Sequence, residues 1–187
     1  GNHDDRQQRF YPLFNMGGRL YYSFRAPRQE VRFFALESSY MDRRQVEWVE
    51  RELERSTEAW KIVFMHHPLY SSGQRHGSNL ALRRVLEPLF LRYDVSMVFA
   101  GHDHFYERVK PQQGIAYFVV GGSGRLRRGN IREGSPLTAR GFDTDNSFLL
   151  AEIDGDELFF QAIARTGETV DAGVVPRRRP ATAAWRR

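Results

Sequence analysis

The sequence predicts an α/β protein built in layers, with strands in more than one sheet. Strand-like and helix-like segments alternate over residues 19–104, and strands dominate after that. Polar residues collect where the apolar strands end, which is where ligands bind in open α/β sheets. These observations predict the architecture and also the edge of the sheet that carries the chemistry.

Apolar and aromatic runs mark the strands of the first half. Such runs, bounded by turn residues, are typical of buried strands. The segments that we predict as strands are "RLYYSF" (19–24), "VRFFALE" (31–37), "WKIVFMHH" (60–67) and "VSMVFAGHDH" (95–104). The last two run directly from apolar residues into histidines.

Two amphipathic helices are predicted between these strands. "SSYMDRRQVEWVERELERS" (38–56) has apolar residues at helical spacing, and Ser39 with Asp42 near its start resembles a capping pair. "NLALRRVLEPLFLRY" (79–93) also has one apolar face. Pro88 lies inside this second segment, so we expect the helix to kink or to split in two.

The second half is predicted to consist mainly of strands. "IAYFVVGGSG" (115–124) is predicted to be a strand closing on a glycine loop, which serves either as a phosphate cradle or as a tight turn. "FLLAEIDGDELFFQAIA" (148–164) is predicted to be a hairpin around Asp154-Gly155. Residues 1–175 are expected to belong to one domain, and residues 176–187 to form a basic, flexible tail.

The composition narrows the functional class. The net charge is +5, and all but Lys61 and Lys110 of the 28 basic residues are arginine, which suits phosphate and carboxylate ligands. This charge is spread along the chain without a stripe of interleaved aromatics, so a nucleic-acid-binding domain is the weaker alternative. The chain has no cysteine, which excludes disulfide and thiolate chemistry. No apolar run approaches the ~20 residues of a membrane helix.

All six histidines fall in four short stretches, "GNHDD", "FMHHPLY", "SGQRHGSN" and "AGHDHFYER". His102 and His104 flank Asp103, and on an extended segment side chains two residues apart point the same way. Both imidazoles are therefore predicted to face one cavity, with Gly101 allowing close backbone approach. Neutral imidazole and the amide oxygen of asparagine suit Zn, Fe(II), Mn or Ni. The serines do not form a nucleophilic triad.

These stretches together resemble a known family. "GNHD", "HHPLYSSG", the histidine that follows and "GHDHFYER" are similar, in order and spacing, to the later motifs of the calcineurin-like metallophosphoesterase superfamily, in its purple-acid-phosphatase-like branch. The resemblance covers about residues 1–125. It implies an αββα four-layer sandwich holding two metal ions. Here we expect a partial, N-terminally truncated sandwich whose first strands and helices are missing, with residues 1–175 as the C-terminal portion of the catalytic domain.

The resemblance implies a set of metal ligands. Asn2, His66 and His102 match the ligands of the second metal ion, and His104 matches a ligand of the first. The implied cofactors are two divalent or trivalent ions of the Fe, Zn or Mn class. His67 has no settled role, and we expect it to support a neighbouring ligand.

Further residues match positions that act on the substrate. His3 matches the histidine that contacts the phosphoryl group and assists the leaving group. His76 resembles the outer substrate histidine, a candidate general acid or phosphate clamp. Asp4 matches an acid that orients the catalytic histidine. Arg108, in the matching "YER", is expected to organise its loop or to contact phosphate.

Two earlier motifs of the family do not occur in this sequence. They are an Asp-x-His and a Gly-Asp-x-x-(Asp/Tyr); the sequence has no Asp-x-His, and its only Gly-Asp is the distant Gly155-Asp156. A parent enzyme would use two ions and attack by metal-bound hydroxide. Without the missing carboxylates we expect this chain to bind at most one ion, weakly, and to have little or no activity.

The implied reaction is the hydrolysis of a phosphomonoester or phosphodiester. The expected partner is a small-molecule or nucleotide phosphate ester, with no specific nucleic acid and no membrane segment. The alternative is a non-catalytic metal-binding or interaction module that derives from the same fold. The resemblance points to a secreted or periplasmic location, which the sequence itself leaves open.

Overall fold

The central layer is a seven-stranded sheet in the computed structural model, which describes residues 1–179. Its strands are β1 (Tyr22–Arg25), β2 (Val31–Leu36), β3 (Trp60–Met65), β4 (Met97–Ala100), β5 (Tyr106–Val109), β6 (Ala116–Val120) and β7 (Thr138–Phe142). Their order across the sheet is β1-β2-β3-β4-β6-β5-β7. The adjacent pairs β2-β3, β3-β4 and β4-β6 are parallel, and the pairs β1-β2, β6-β5 and β5-β7 are antiparallel.

Two helices cover one face of this sheet. α1 (Arg43–Arg55) connects β2 to β3, and α2 (Leu80–Arg92) connects β3 to β4. Their buried residues pack on the sheet in a shared apolar cluster. Because both connections cross the same face, β2, β3 and β4 lie side by side and present their carboxyl ends at one edge.

The prediction that Pro88 breaks the second helix is wrong. α2 continues through Pro88 from residue 80 to residue 92. Pro88 and Arg84, four residues earlier, are both exposed, so water can reach the Arg84 carbonyl that has lost its helical donor. Leu86 and Phe90 on either side of the proline are fully buried and hold both halves of the helix on the sheet.

A second sheet packs on the opposite face of the first. It consists of β8 (Ser147–Asp154), β9 (Glu157–Ala164) and β10 (Thr169–Pro176), in the order β10-β9-β8. Alternate residues of β9 are buried against the large sheet. The Trp60 indole N–H also joins the sheets by donating to the Gly155 carbonyl over 2.9 Å. The predicted hairpin is confirmed, with its turn at Gly155 and Asp156.

Three layers are therefore present in residues 1–179, namely helices, large sheet and small sheet. This confirms the predicted partial sandwich. The outer face of the small sheet has no helical layer among these residues, and Phe148, Leu150, Phe159 and Val174 are exposed there. Strands β5, β7 and β10 were not predicted, because charged residues or glycine interrupt their apolar residues. None of the helices described is long and apolar enough to cross a membrane.

The first residues of the predicted flexible tail bind the body of the protein. Arg177 donates to Asp156 over 2.6 Å. Arg178 donates to the Leu91 carbonyl over 2.9 Å and to Asp94 over 2.8 Å. The rest of the predicted tail, residues 180–187, lies outside the described residues.

Candidate metal centre

The histidines of the second and fourth stretches follow two neighbouring parallel strands. β3 ends at Met65, directly before His66 and His67, and β4 ends at Ala100, two residues before His102. Met65 pairs with Ala100 in the sheet, and the Gly101 N–H donates to the His66 carbonyl over 3.0 Å. The shared register therefore brings these histidines together at the carboxyl edge.

Three lone-pair atoms converge at this edge. Asn2 Oδ1 lies 2.7 Å from His66 Nε2, and His102 Nδ1 lies 3.0 Å from the same nitrogen. Gly1 makes this approach possible, because a Cβ atom there would lie 2.5 Å from His66 Nδ1. The predicted set of Asn2, His66 and His102 is thus assembled in space.

His67 also belongs to this cluster. His66, His67 and His102, which we call the three-histidine group, each offer a ligand atom, and these atoms lie within 4.8 Å of one another. His67 Nδ1 forms a 3.0 Å hydrogen bond with the buried Ser38 hydroxyl, which in turn accepts the His67 backbone N–H. Such a bond fixes the ring as it does in metal-binding histidines. The doubled histidine in "HHP" was the only signal in the sequence for this arrangement.

The environment keeps these imidazoles neutral. Burial lowers the pKa of His66 to about 4, and the neighbouring charge of His67 acts in the same direction. Burial likewise lowers the pKa of His102 to about 4, together with His67 and His76. Burial also lowers the pKa of His67. Neutral imidazole is the form that binds a metal ion, so at neutral pH all three rings have a free lone pair.

The geometry predicted for His102 and His104 is wrong. The segment from Gly101 to Phe105 bends between β4 and β5 and is not extended, and His102 has a left-handed φ of 64°. A non-glycine residue in this region is uncommon and is typical of functional sites. Gly101 has no unusual contact, since a Cβ there would meet His66 at 3.8 Å.

His104 lies outside the three-histidine group. Its Nδ1 atom is buried and has no hydrogen-bond partner within residues 1–179. Burial lowers the pKa of His104, and the nearby positive charges of Arg127 and Arg125 lower it further. The Arg127 N–H donates to the His104 carbonyl over 3.0 Å. The structure thus places His104 beside a basic loop.

His76 is exposed on the loop between β3 and α2. Its ring centroid lies 4.2 Å from that of His102. We call residues 71–78 the His76 loop. The predicted substrate histidine therefore borders the three-histidine group.

Two fully buried carboxylates hold the His76 loop. Asp103 accepts a hydrogen bond from the Ser71 hydroxyl over 2.6 Å and one from the Gly77 N–H over 3.2 Å. Glu107 accepts from the Ser72 hydroxyl over 2.6 Å and from the Ser72 N–H over 2.9 Å. Asp103 and Glu107 therefore fix the position of the His76 loop through these hydrogen bonds.

The other two predicted catalytic residues lie on the exposed N-terminal turn. His3 is exposed, and its side chain forms no hydrogen bond within the described chain. Asp4 binds the Gly1 nitrogen, so its carboxylate closes the turn, and within the described chain it forms no hydrogen bond with His3. On one side of this turn is a cavity of about 300 Å³ whose lining includes Asp4, Asp5 and Glu37.

Arg108 and the glycine loop have structural contacts. Arg108 forms a bidentate pair with Asp171 of β10, at 2.8 and 3.1 Å, and Tyr106 donates to the same carboxylate over 2.7 Å. These bonds join the two sheets. A Cβ at Gly121 would lie 2.1 Å from the Asp103 carbonyl, so this glycine allows two backbone segments to pack closely.

The donor set fits a divalent metal ion. Asn2 Oδ1 and His102 Nδ1 both approach His66 Nε2, which has a single proton to share at most. A cation could instead accept all three lone pairs, and amide oxygen with imidazole nitrogen suits zinc-like ions. Within residues 1–179, no carboxylate joins the three-histidine group.

Comparison with known sequences gives consistent matches. The family model described as calcineurin-like phosphoesterase matches residues 1–106. A purple acid phosphatase of Glycine max is 43% identical over 82 residues, which cover 42% of this chain and 18% of that protein. The Fe(3+)-Zn(2+) purple acid phosphatase 12 of Arabidopsis thaliana is 38% identical over 108 residues, covering 55% and 23%. The matches thus span about a fifth of these relatives.

A solved structure has the same fold. The purple acid phosphatase PPD1 from yellow lupin (Lupinus luteus) seeds superposes with a TM-score of 0.74 at 21% sequence identity. The superposition covers 84% of this chain and 33% of the lupin chain. The layered arrangement described above is therefore shared with a phosphatase of known structure.

Proposed function

Since this chain belongs to the calcineurin-like phosphoesterase family, we propose that its histidine-bearing edge is the metal-binding part of a site that hydrolyses phosphate esters. The single observation that carries the proposal is the approach of Asn2 Oδ1 and His102 Nδ1 to His66 Nε2, at 2.7 and 3.0 Å. Three neutral donors gathered this closely are better satisfied by a cation than by one shared proton.

Asn2, His66 and His102 are the ligands of one ion in this proposal. His104, whose Nδ1 atom is buried without a partner in the described chain, is the candidate ligand of a second ion. A bound divalent ion would supply Lewis-acid polarisation of the phosphoryl oxygens and activation of water. The hydrogen bond between Ser38 and the His67 ring supports the edge, because it fixes the ring that packs against both His66 and His102.

His76 and His3 act on the substrate in this proposal. His76 is exposed beside His102, so it can hold a phosphoryl oxygen or donate a proton to the leaving oxygen. His3 follows the ligand Asn2 directly in the sequence and is exposed on the N-terminal turn. Asp4 is a positioning residue for that turn, since its carboxylate binds Gly1.

This chain alone is proposed to bind one ion and to hydrolyse phosphate esters poorly. Two dications a few ångströms apart repel each other, and a bridging carboxylate normally offsets that repulsion. The sequence lacks the Asp-x-His motif. Of the two buried carboxylates nearest the histidines, Glu107 is bound by Ser72, and Asp103 holds Ser71 and Gly77 through Oδ2, with Oδ1 unpartnered in the described chain. Neither carboxylate has an oxygen in the three-histidine group.

Metal analysis of the purified chain, with turnover of p-nitrophenyl phosphate, tests the proposal. We expect up to one zinc or manganese ion per chain and no turnover above background. His66→Ala should weaken metal binding by more than about 100-fold, because even changes to the residues behind a ligand cost 10–100-fold. His76→Ala is the matched control and should leave metal content unchanged.

Two outcomes would contradict parts of this proposal. Two tightly bound ions per chain with turnover would show that the missing carboxylates are not needed. Metal content that His66→Ala leaves unchanged would show that the ion binds elsewhere. Tight binding of one ion without hydrolysis, in a form of the protein that also carries the two acidic motifs, would favour the non-catalytic module.

A further inference from the structure

Five arginines border the metal centre on the side of His76 and His104. We call Arg75, Arg125, Arg127, Arg128 and Arg132 the arginine rim. Arg75 lies on the His76 loop, and the other four lie between β6 and β7. Four of the five side chains are exposed and that of Arg127 is half-buried, so all reach solvent.

Backbone hydrogen bonds hold the two parts of the rim together. The Gln74 N–H donates to the Asn130 carbonyl over 2.8 Å, and the Arg132 N–H donates to the Ser72 carbonyl over 3.0 Å. The Arg127 N–H donates to the His104 carbonyl over 3.0 Å. These hydrogen bonds join the two loops that carry the arginine rim, so the position of the rim relative to His76 and His104 is fixed.

The rim arginines differ from many arginines elsewhere in the chain. Arg32, Arg108 and Arg178 each bind a carboxylate within 2.8 Å. Within residues 1–179, no member of the rim forms an ion pair. Glu133 is the only acidic residue between Ser123 and Leu137. The rim is thus a concentration of unneutralised guanidinium groups.

The two sides of the metal centre differ in charge. The cavity on the N-terminal side is lined by both signs, with Asp4, Asp5 and Glu37 beside Arg6 and Arg9. The five rim arginines outnumber the acidic residues next to them, which are Glu133 and Asp143. A ligand with one phosphate at the histidines and a second anionic group would therefore be drawn toward the rim.

We propose that the arginine rim binds a second phosphate of the substrate, so that the site takes bisphosphorylated small molecules in preference to monophosphates. A guanidinium group matches the geometry of a phosphate with two parallel hydrogen bonds, and several guanidinium groups together offset its double charge. The inference rests on the proposed function, because the first phosphate is the one bound at the histidines.

Calorimetric titration of the zinc-loaded chain with glucose 1,6-bisphosphate and glucose 6-phosphate tests this inference. These ligands share one phosphate and differ in the second. We expect the bisphosphate to bind at least about tenfold more tightly, a modest requirement for charge-assisted bidentate contacts. Arg125→Ser with Arg127→Ser should reduce this ratio to less than about threefold, since fewer guanidinium groups remain.

A matched control removes the same charge elsewhere. Arg51→Ser with Arg84→Ser changes two exposed arginines on α1 and α2 and should leave the ratio as it is. If Arg127→Ser prevents folding, Arg125→Ser with Arg128→Ser gives the same test at two exposed positions. Equal losses in the rim and control variants would show a general charge effect and overturn the inference.

Other outcomes are also decisive. A wild-type ratio near one would overturn the inference while leaving the metal proposal intact, provided that zinc content is normal. If zinc fails to bind, the same ratio is measured on the metal-free chain, so the two proposals fail separately. Tighter binding of a short single-stranded DNA than of the bisphosphate, with steep salt dependence, would assign the rim to nucleic acid and contradict the proposal.

Discussion

The N-terminal segment, residues 1–20, and the His76 loop approach the metal centre in different ways. No residue of the N-terminal segment is buried, and most of its hydrogen bonds span only two to four residues, such as Asp4 to Gly1. The His76 loop is tied by Asp103 and Glu107, which lie about 30 residues away in sequence and are fully buried. One side of the centre is therefore built by the fold, and the other touches it mainly through Asn2.

This difference indicates how the centre is assembled. The histidine side is held before any ion binds, because its loop is supported by buried hydrogen bonds that cannot be exchanged for water at low cost. The Asn2 side gains little from the fold, so an ion bound by Asn2 would do most of the ordering. Binding energy spent on ordering a segment lowers the apparent affinity for the ion.

The largest expected effect is on the support of the His76 loop. Asp103→Ala leaves the buried Ser71 hydroxyl and the half-buried Gly77 N–H without their acceptor, which should cost about 3 kcal/mol of unfolding free energy. Asp4→Ala, at an exposed carboxylate of the N-terminal turn, should cost less than about 0.5 kcal/mol. Urea unfolding of both variants measures the difference, with Asp103→Asn as the control that keeps the shape. Similar costs for Asp103→Ala and Asp4→Ala would remove the distinction between the two segments.

Two glycines give a closer comparison. A Cβ at Gly73 would lie 2.4 Å from Asp103 Oδ2, and a Cβ at Gly1 would lie 2.5 Å from His66 Nδ1. Gly73→Ala should cost about 2 kcal/mol, because the supported loop cannot move away from the buried carboxylate. Gly1→Ala should cost less than about 0.5 kcal/mol, because the exposed segment can shift.

Gly1→Ala also separates an effect on folding stability from an effect on metal binding. Gly1→Ala moves Asn2 away from His66, so zinc affinity should fall even though thermal unfolding without metal is unchanged. Gly124→Ala is the control, since nothing lies within 4 Å of an added Cβ there. Strong destabilisation by Gly1→Ala would mean that the N-terminal segment is held as firmly as the loop.

The smallest expected effect is a change in protease sensitivity. Zinc should slow tryptic cleavage after Arg6 by about tenfold, because binding through Asn2 stabilises the ordered form of the segment. Cleavage after Arg75, although that residue is exposed, should be slow with or without zinc. His66→Ala should abolish the zinc effect. Protection at Arg75 and none at Arg6 would reverse the proposed order of assembly.

Local sequence patterns predicted the elements that carry the centre. β3 and β4 are apolar runs apart from Lys61. The predicted capping role of Ser39 is wrong, because α1 starts at Arg43 with Asp42 as its cap, and the Asp42 side chain accepts from the Gln45 N–H over 2.8 Å. Because histidines follow both strands in the sequence, parallel pairing was enough to bring His66 and His102 together. This part of the site could be predicted from the hydrophobic periodicity of the strands and from their order in the sheet.

The remaining parts depended on contacts that no local pattern encodes. The left-handed conformation of His102 and the bend after it follow from packing against the His76 loop, since Asp103 turns inward to Ser71. Ser38 meets His67 because β2 lies beside β3, across 29 residues of sequence. Arg108 matched a functional motif, yet it binds Asp171 on β10. That strand was not predicted, because charged and small residues interrupt its apolar pattern.

Trp60 gives the molecule an optical signal at the junction of its two sheets. Its indole is 1% exposed, and the N–H is bound to the turn of the β8–β9 hairpin. Indole fluorescence moves to longer wavelength when water reaches the ring. Trp60 lies at the opposite end of β3 from the histidines. In a chain that keeps Trp60 while Trp48 and Trp185 are replaced by phenylalanine, the emission wavelength would therefore report when the small sheet separates from the large sheet.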